Sequence, residues 1–271
     1  MHRILDDPAL APYRLIDKPD ALRREGLFAV EGRLVLPRLL DSRYRVHSVL
    51  ASEPARDALA PLLEAHPDLT VHVAPADVIT SLTGYDFHRG CLALGYREEF
   101  DQVGPSRLAL LDEAEPGKSN PVAVVLEAVS NPDNIGGIFR SAHAFGARAV
   151  LLGSACGDPL YRKAIRTSMG ATLQVPWTEL AAWPDDLRAL RERGYRLVAL
   201  TPDPAAPLLR DVIAQAPGPV AFLLGSEGHG LSPAALAYAD ITARIPMARE
   251  DADSLNVAAA ASIALYEAGN R

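Results

Sequence analysis

The sequence predicts an α/β protein: a parallel sheet with helices on both faces in its C-terminal half, preceded by a smaller α/β domain. Three observations predict it. Unbroken apolar runs at 122–126, 149–152, 197–200 and 220–224 suit strands buried on both faces of a parallel sheet. Helical stretches lie between them, and strand, helix, strand in that order gives parallel pairing. Shorter apolar runs alternate with helical stretches in the first hundred residues, until the pattern breaks near residue 98.

Taken in order, 27–30 and 46–50 read as strands, 32–40 and 54–66 as helices, and 71–73 and 91–94 as further short strands bounded by polar residues or glycine. Over 98–120, acidic residues, Gly104-Pro105, Pro116-Gly117 and Lys118-Ser119-Asn120 suit an exposed connection between domains at 1–97 and 121–271. Beyond it, helices are expected at 134–145, 161–169, 184–193 and 233–239. An Ala-rich helix over 256–268 closes the chain and stops at Gly269. In such a sheet a ligand sits beyond the carboxyl ends of the strands.

The totals exclude several classes. With 49% hydrophobic and 23% charged residues the chain reads as globular, not disordered. It has no stretch of about 18 uninterrupted apolar residues, and residues 1–7 lack an apolar leader, so a cytoplasmic protein without a membrane partner is expected. Cys91 and Cys156 stand far apart, with no C-x-x-C and no clustered histidines; they read as small buried hydrophobes, with no metal expected. A net charge of −7 argues against coating nucleic acid through bulk electrostatics. A local basic patch stays open, because residues 1–46 carry nine Lys/Arg against seven Asp/Glu.

Three junctions in the second half are dense in Gly, Asn and Ser with one charged residue. They are Asn131-Pro132-Asp133-Asn134-Ile135-Gly136-Gly137-Ile138-Phe139-Arg140, Leu224-Gly225-Ser226-Glu227-Gly228-His229-Gly230-Leu231-Ser232, and Ile245-Pro246-Met247 through Ser254-Leu255-Asn256-Val257. Glycines after a strand let a backbone approach a ligand or another backbone without a Cβ in the way. Neither G-x-G-x-x-G nor G-x-x-x-x-G-K-[ST] occurs there, so a nucleotide-binding oxidoreductase or a P-loop protein lacks its defining spacing. Asn134, Ser254 and Asn256 stand where a side chain can cap a helix.

Together, in this order and spacing, the three junctions resemble the SpoU family of RNA ribose methyltransferases, also called the TrmH family, within the SPOUT superfamily. In the first half, 25–32 and His88-Arg89-Gly90 are similar to the ends of the substrate-binding domain often attached to it, although the usual middle residue of the second motif is Gln. The resemblance implies transfer of a methyl group from S-adenosylmethionine to a ribose 2′-hydroxyl of rRNA or tRNA. It also implies a C-terminal trefoil knot and a homodimer paired through the C-terminal domain.

By that resemblance Arg140, Asn134, Glu227, Ser254 and Asn256 carry the chemistry, and Leu200, Thr201, Leu224, Gly225, Ile245, Met247, Ser254 and Leu255 hold the donor. A ribose hydroxyl is a very weak acid and needs help to attack. Arg140 is the residue implied to activate it, yet a guanidinium stays protonated. It either accepts a proton against that preference, holds the developing alkoxide, or grips the adjacent phosphate. It serves its own pocket or the partner's. Glu227 either accepts nearby backbone amides or steers Arg140. His229 reads as a surface or RNA-contacting residue, and His143 as a core or interface histidine. The alternative is an RNA-binding or ribosome-assembly protein of the same fold without catalysis, against which the five intact residues argue.

Overall fold

The computed structural model describes residues 7–84, 90–97, 105–112, 120–215, 217–249 and 253–269. His88 and Arg89 lie outside the described residues. The chain divides into two compact units: Met1–Asp101 together with Leu160–Gln174, and Gln102–Pro159 together with Val175–Arg271. Among the described residues no helix is long and apolar enough to cross a membrane.

In the first unit β1 (Leu27–Glu31), β2 (Val46–Ala51), β3 (Val71–Val73) and β4 (Cys91–Tyr96) form one sheet in the order β1-β4-β2-β3. β4 runs antiparallel to β1 and β2, while β3 is parallel to β2. Every residue of β1 is buried, so both its faces are covered and its sequence shows no alternation. The Phe28 ring lies on Gly95, where a Cβ would stand 2.4 Å from the ring carbon Cζ. Buried Tyr13 meets the Ser48 hydroxyl at 2.8 Å.

The helix expected over 32–40 is shorter, Leu36–Leu40, because the chain turns out of β1 at Gly32 with a positive φ of 103°. The helix expected over 54–66 is two, Glu53–Ala58 and Ala60–Glu64, interrupted just before Pro61, whose nitrogen has no hydrogen to donate. The helix Ala76–Thr83 was not expected from the sequence; it ends on Gly84 at φ 75°. The segment 160–174 belongs to this unit although sequence order places it between strands of the second. Its helix Arg162–Thr167 brings the Arg162 guanidinium 3.1 Å from the buried Glu31 carboxylate, and Arg38 donates to the Met169 carbonyl.

In the second unit β5 (Val122–Leu126), β6 (Ala149–Leu152), β7 (Trp177–Glu179), β8 (Arg196–Leu200), β9 (Val220–Leu224) and β10 (Ile241–Ala243) form a sheet in the order β10-β8-β9-β5-β6-β7. All neighbours are parallel. The chain builds outward from β5 to β7, returns to the other side, and lays β9 between β8 and β5. β6 and β9 are buried throughout, which is the two-sided cover their apolar runs predict.

Two features of the second unit depart from expectation. Within 98–120, residues Pro105–Leu111 form a short helix whose Leu108 and Leu111 enter the core, so the whole stretch is not an exposed connection. The short strands β7 and β10 and the helix Leu209–Ala214 were not expected from the sequence. The helices Pro132–Ala144 and Val257–Gly269 lie side by side. A Cβ on Gly137 would stand 3.0 Å from that of Ala258, and the Ser141 and Ser262 hydroxyls are 2.7 Å apart.

Candidate active site

β8, β9 and β10 are neighbours, so the loops leaving their carboxyl ends meet. With the segment before the last helix they enclose a cavity of about 470 Å³. Leu200 and Thr201 face it from β8, Leu224 and Gly225 from β9, Ile245 and Met247 from the loop after β10, and Ser254 and Leu255 from the final loop. These eight residues, far apart in sequence, line one space. His229 lines it too, and is exposed.

The β9 loop doubles back on itself. Gly230 donates its N–H to the Ser226 carbonyl at 2.9 Å. A Cβ on Gly225 would lie 2.0 Å from the carbonyl carbon of Gly230, inside any allowed contact, so this position tolerates glycine alone. Gly230 itself sits in the left-handed region at φ 65°.

Beside the cavity one side-chain amide joins three motifs. Asn256 Nδ2 donates one hydrogen to Asn134 Oδ1 at 2.9 Å and the other to Glu227 Oε1 at 2.5 Å. Its oxygen accepts the backbone N–H groups of Ala258 at 2.9 Å and Ala259 at 3.2 Å, capping the last helix. Both ends of the amide are thereby assigned, since only this orientation matches donors to acceptors. Asn134 is buried and does not cap its helix. That task falls to Asn131, whose Oδ1 accepts the Asp133 N–H at 2.9 Å. Glu227 accepts from this side-chain amide, a partner the sequence did not suggest.

Arg140 stands apart. It is exposed on the Pro132–Ala144 helix, does not line the cavity, and makes no hydrogen bond or ion pair among the described residues. It lies six positions after Asn134, which turns it by about a third of a circle from the face that meets Asn256. His143 is likewise exposed, not a core residue. Among the described residues lining the cavity the charged or titratable ones are Glu227, His229 and Asp253, with no Lys or Arg. Such a lining favours a cation over an anion.

Sequence reasoning missed Asp253 on the cavity wall and Glu127 behind it. Glu127 had a signal: a carboxylate directly after an all-apolar strand, at the end of the sheet where ligands bind.

The model of the SpoU rRNA Methylase family matches residues 121–266. A tRNA/rRNA methyltransferase of Mycobacterium bovis, itself uncharacterised, is 38% identical over 97% of this chain and 88% of its own length. The 23S rRNA (guanosine-2′-O-)-methyltransferase RlmB of Photobacterium profundum is 28% identical over 83% of this chain and 94% of its own. The crystal structure of an AdoMet-bound rRNA methyltransferase from Sinorhizobium meliloti superposes with a TM-score of 0.77 at 27% identity, covering 97% of this chain and 95% of that one. On the family match and the full-length relative, the chain belongs to the SpoU rRNA methylase family.

Proposed function

We propose that the chain transfers a methyl group from S-adenosylmethionine to a ribose 2′-hydroxyl of rRNA or tRNA. The observation that carries this reading is the cavity at the ends of β8, β9 and β10, walled by the glycine loop and flanked by the Asn134–Asn256–Glu227 contact. The named activity of the Photobacterium relative and the AdoMet bound to the Sinorhizobium protein support it.

The residues present fit the donor. At about 470 Å³ the cavity suits a ligand of nucleoside size. Leu200, Leu224, Ile245 and Met247 offer apolar surface to a base, and Glu227 and Asp253 offer negative charge to a cation. When bound, the donor supplies an electrophilic methyl group on a positively charged sulfur, so no metal is required. The rest falls to the protein: holding the ribose oxygen close, in line, and with its developing charge compensated. Asn256, oriented by Asn134 and Glu227, is a fixed amide beside the cavity. As the O–CH3 bond forms and the S–CH3 bond breaks, the hydroxyl proton passes to solvent water, and Arg140 holds the developing alkoxide or the neighbouring phosphate through its fork of donors.

The reading includes a homodimer paired through the Pro132–Ala144 and Val257–Gly269 helices, with Arg140 serving the partner's cavity and the C-terminal chain knotted as in the family. Two observations support the pairing. Arg140 lies outside its own cavity, and Phe145, the residue that ends the first of these helices, and Tyr266 on the second expose a pair of rings edge to face at 6.1 Å. The first unit is the RNA-choosing part. Incubating purified protein with methyl-labelled S-adenosylmethionine and total RNA, then digesting to nucleosides, tests the activity: label is expected in 2′-O-methylnucleosides. Its absence from both rRNA and tRNA overturns the proposal.

A further inference from the structure

Glu127 is the first residue after β5, and it is buried, with 6% of its surface exposed. Both carboxylate oxygens are engaged. Oε1 accepts the indole N–H of Trp183 at 2.6 Å and the Ser232 hydroxyl at 2.8 Å; Oε2 accepts the Ser232 backbone N–H at 2.7 Å. Its own backbone N–H donates to the Leu224 carbonyl at 2.9 Å. One residue therefore grips both ends of the glycine loop, Leu224 through its backbone and Ser232 through its side chain.

Between those ends the loop is held by its own Ser226–Gly230 turn and by the hydrogen bond from Asn256 to Glu227. A Cβ built on Gly228 or Gly230 meets nothing within 4 Å, and Glu227, Gly228, His229 and Gly230 are exposed. Past the loop, Ser232 Oγ accepts the Ala235 N–H at 3.1 Å and starts the helix Pro233–Leu236. Leu231 and Leu236, on either side of Ser232, both line the cavity. A carboxylate is costly to bury unless each oxygen finds donors, so the site is specific for an acid of this length.

We propose that Glu127 is a positioning residue for the cavity: it fixes the glycine loop from behind, so that the walls contributed by 225–231 and Leu236 are in place before the ligand arrives. It touches neither donor nor RNA. This rests on the donor reading above, and its consequence is specific: loss of Glu127 weakens donor binding, while Asn256, fixed by its helix cap and by Asn134, holds Glu227 in place once donor is bound, so the transfer step at saturating donor changes little.

Glu127→Gln preserves volume but turns an N–H₂ group toward a donor that expects an oxygen. Calorimetry with S-adenosylhomocysteine and steady-state kinetics with varied S-adenosylmethionine should show Kd and donor KM raised about tenfold, with RNA KM and kcat at saturating donor within about twofold of wild type. A merely structural role would lower the active fraction, and so kcat, without moving the donor KM; that result overturns the proposal, as does an unchanged Kd. Ser232→Ala removes one of the three contacts and should raise the donor KM about threefold, which keeps the test available if Glu127→Gln does not fold. Wild-type protein that binds neither compound would overturn the donor reading itself, and is told apart by needing no variant.

Discussion

Asn256 performs two tasks with one amide: its oxygen caps a helix and its nitrogen bridges Asn134 and Glu227. Substitutions can separate them. Asn256→Ala loses both and leaves the buried Asn134 oxygen unpaired, a combined cost of about 2 kcal/mol. Asn256→Asp keeps an oxygen for the cap but offers no donor and sets a carboxylate against Glu227. Its urea stability should stay within about 1 kcal/mol of wild type while methyl transfer falls about tenfold or more. Full activity of the Asp variant would mean that the bridge is incidental.

Cys91 is buried at the start of β4. Burial pushes its thiol from the ordinary 9.0 up to about 11. The folded and unfolded chains bind the same proton below about pH 9, so the thiol leaves stability unchanged there. Between about 9 and 11 the unfolded chain releases it first and stability falls. Urea midpoints measured from pH 7 to 11 should show that fall, and Cys91→Ala should reduce it.

Among elements, the pair of helices Pro132–Ala144 and Val257–Gly269 depends on small side chains at its crossing. Gly137→Val puts a branched side chain where even a Cβ is 3.0 Å from Ala258. Thermal or urea unfolding should register a loss of about 1–3 kcal/mol. The elements legible in the sequence were the long ones with a consistent pattern: β5, β6, β8 and β9 stand where their apolar runs lie, because burial on both faces leaves no room for polar residues. β7 and β10 are three residues each, with Thr at their centres, too short to carry a period. Of the site, the three loops and many of the residues lining the cavity could be named from motifs. Two things could not. The Asn256–Asn134 contact joins residues 122 apart, and nothing local encodes such a pairing. The task of Glu127 depends on Ser232 arriving beside it from 105 residues away.

For the molecule as a whole, the position of Arg140 makes a sharp prediction. If it serves the partner's cavity, Arg140→Ala and Asn256→Ala subunits are each inactive alone, yet a mixed dimer contains one site with both residues intact. Co-expressing the two should restore about a quarter of wild-type activity by random pairing. No recovery, with mixed dimers verified by differently tagged subunits, would place Arg140 in its own subunit's chemistry.

The segment 160–174 constrains how this protein can be cut. The polypeptide passes between its two units three times, near residues 101, 159 and 174, so they are not beads on one string. A fragment beginning at Gln102 would keep Leu160, Ala164, Ile165 and Leu173, all buried in the intact chain, but would lack the strand β1 and the Glu31 carboxylate against which that segment rests. Expressed alone, such a fragment should aggregate or bind a hydrophobic dye. Recombination could not have traded the first unit as a ready-made cassette without either carrying this excursion along or rewriting it to match.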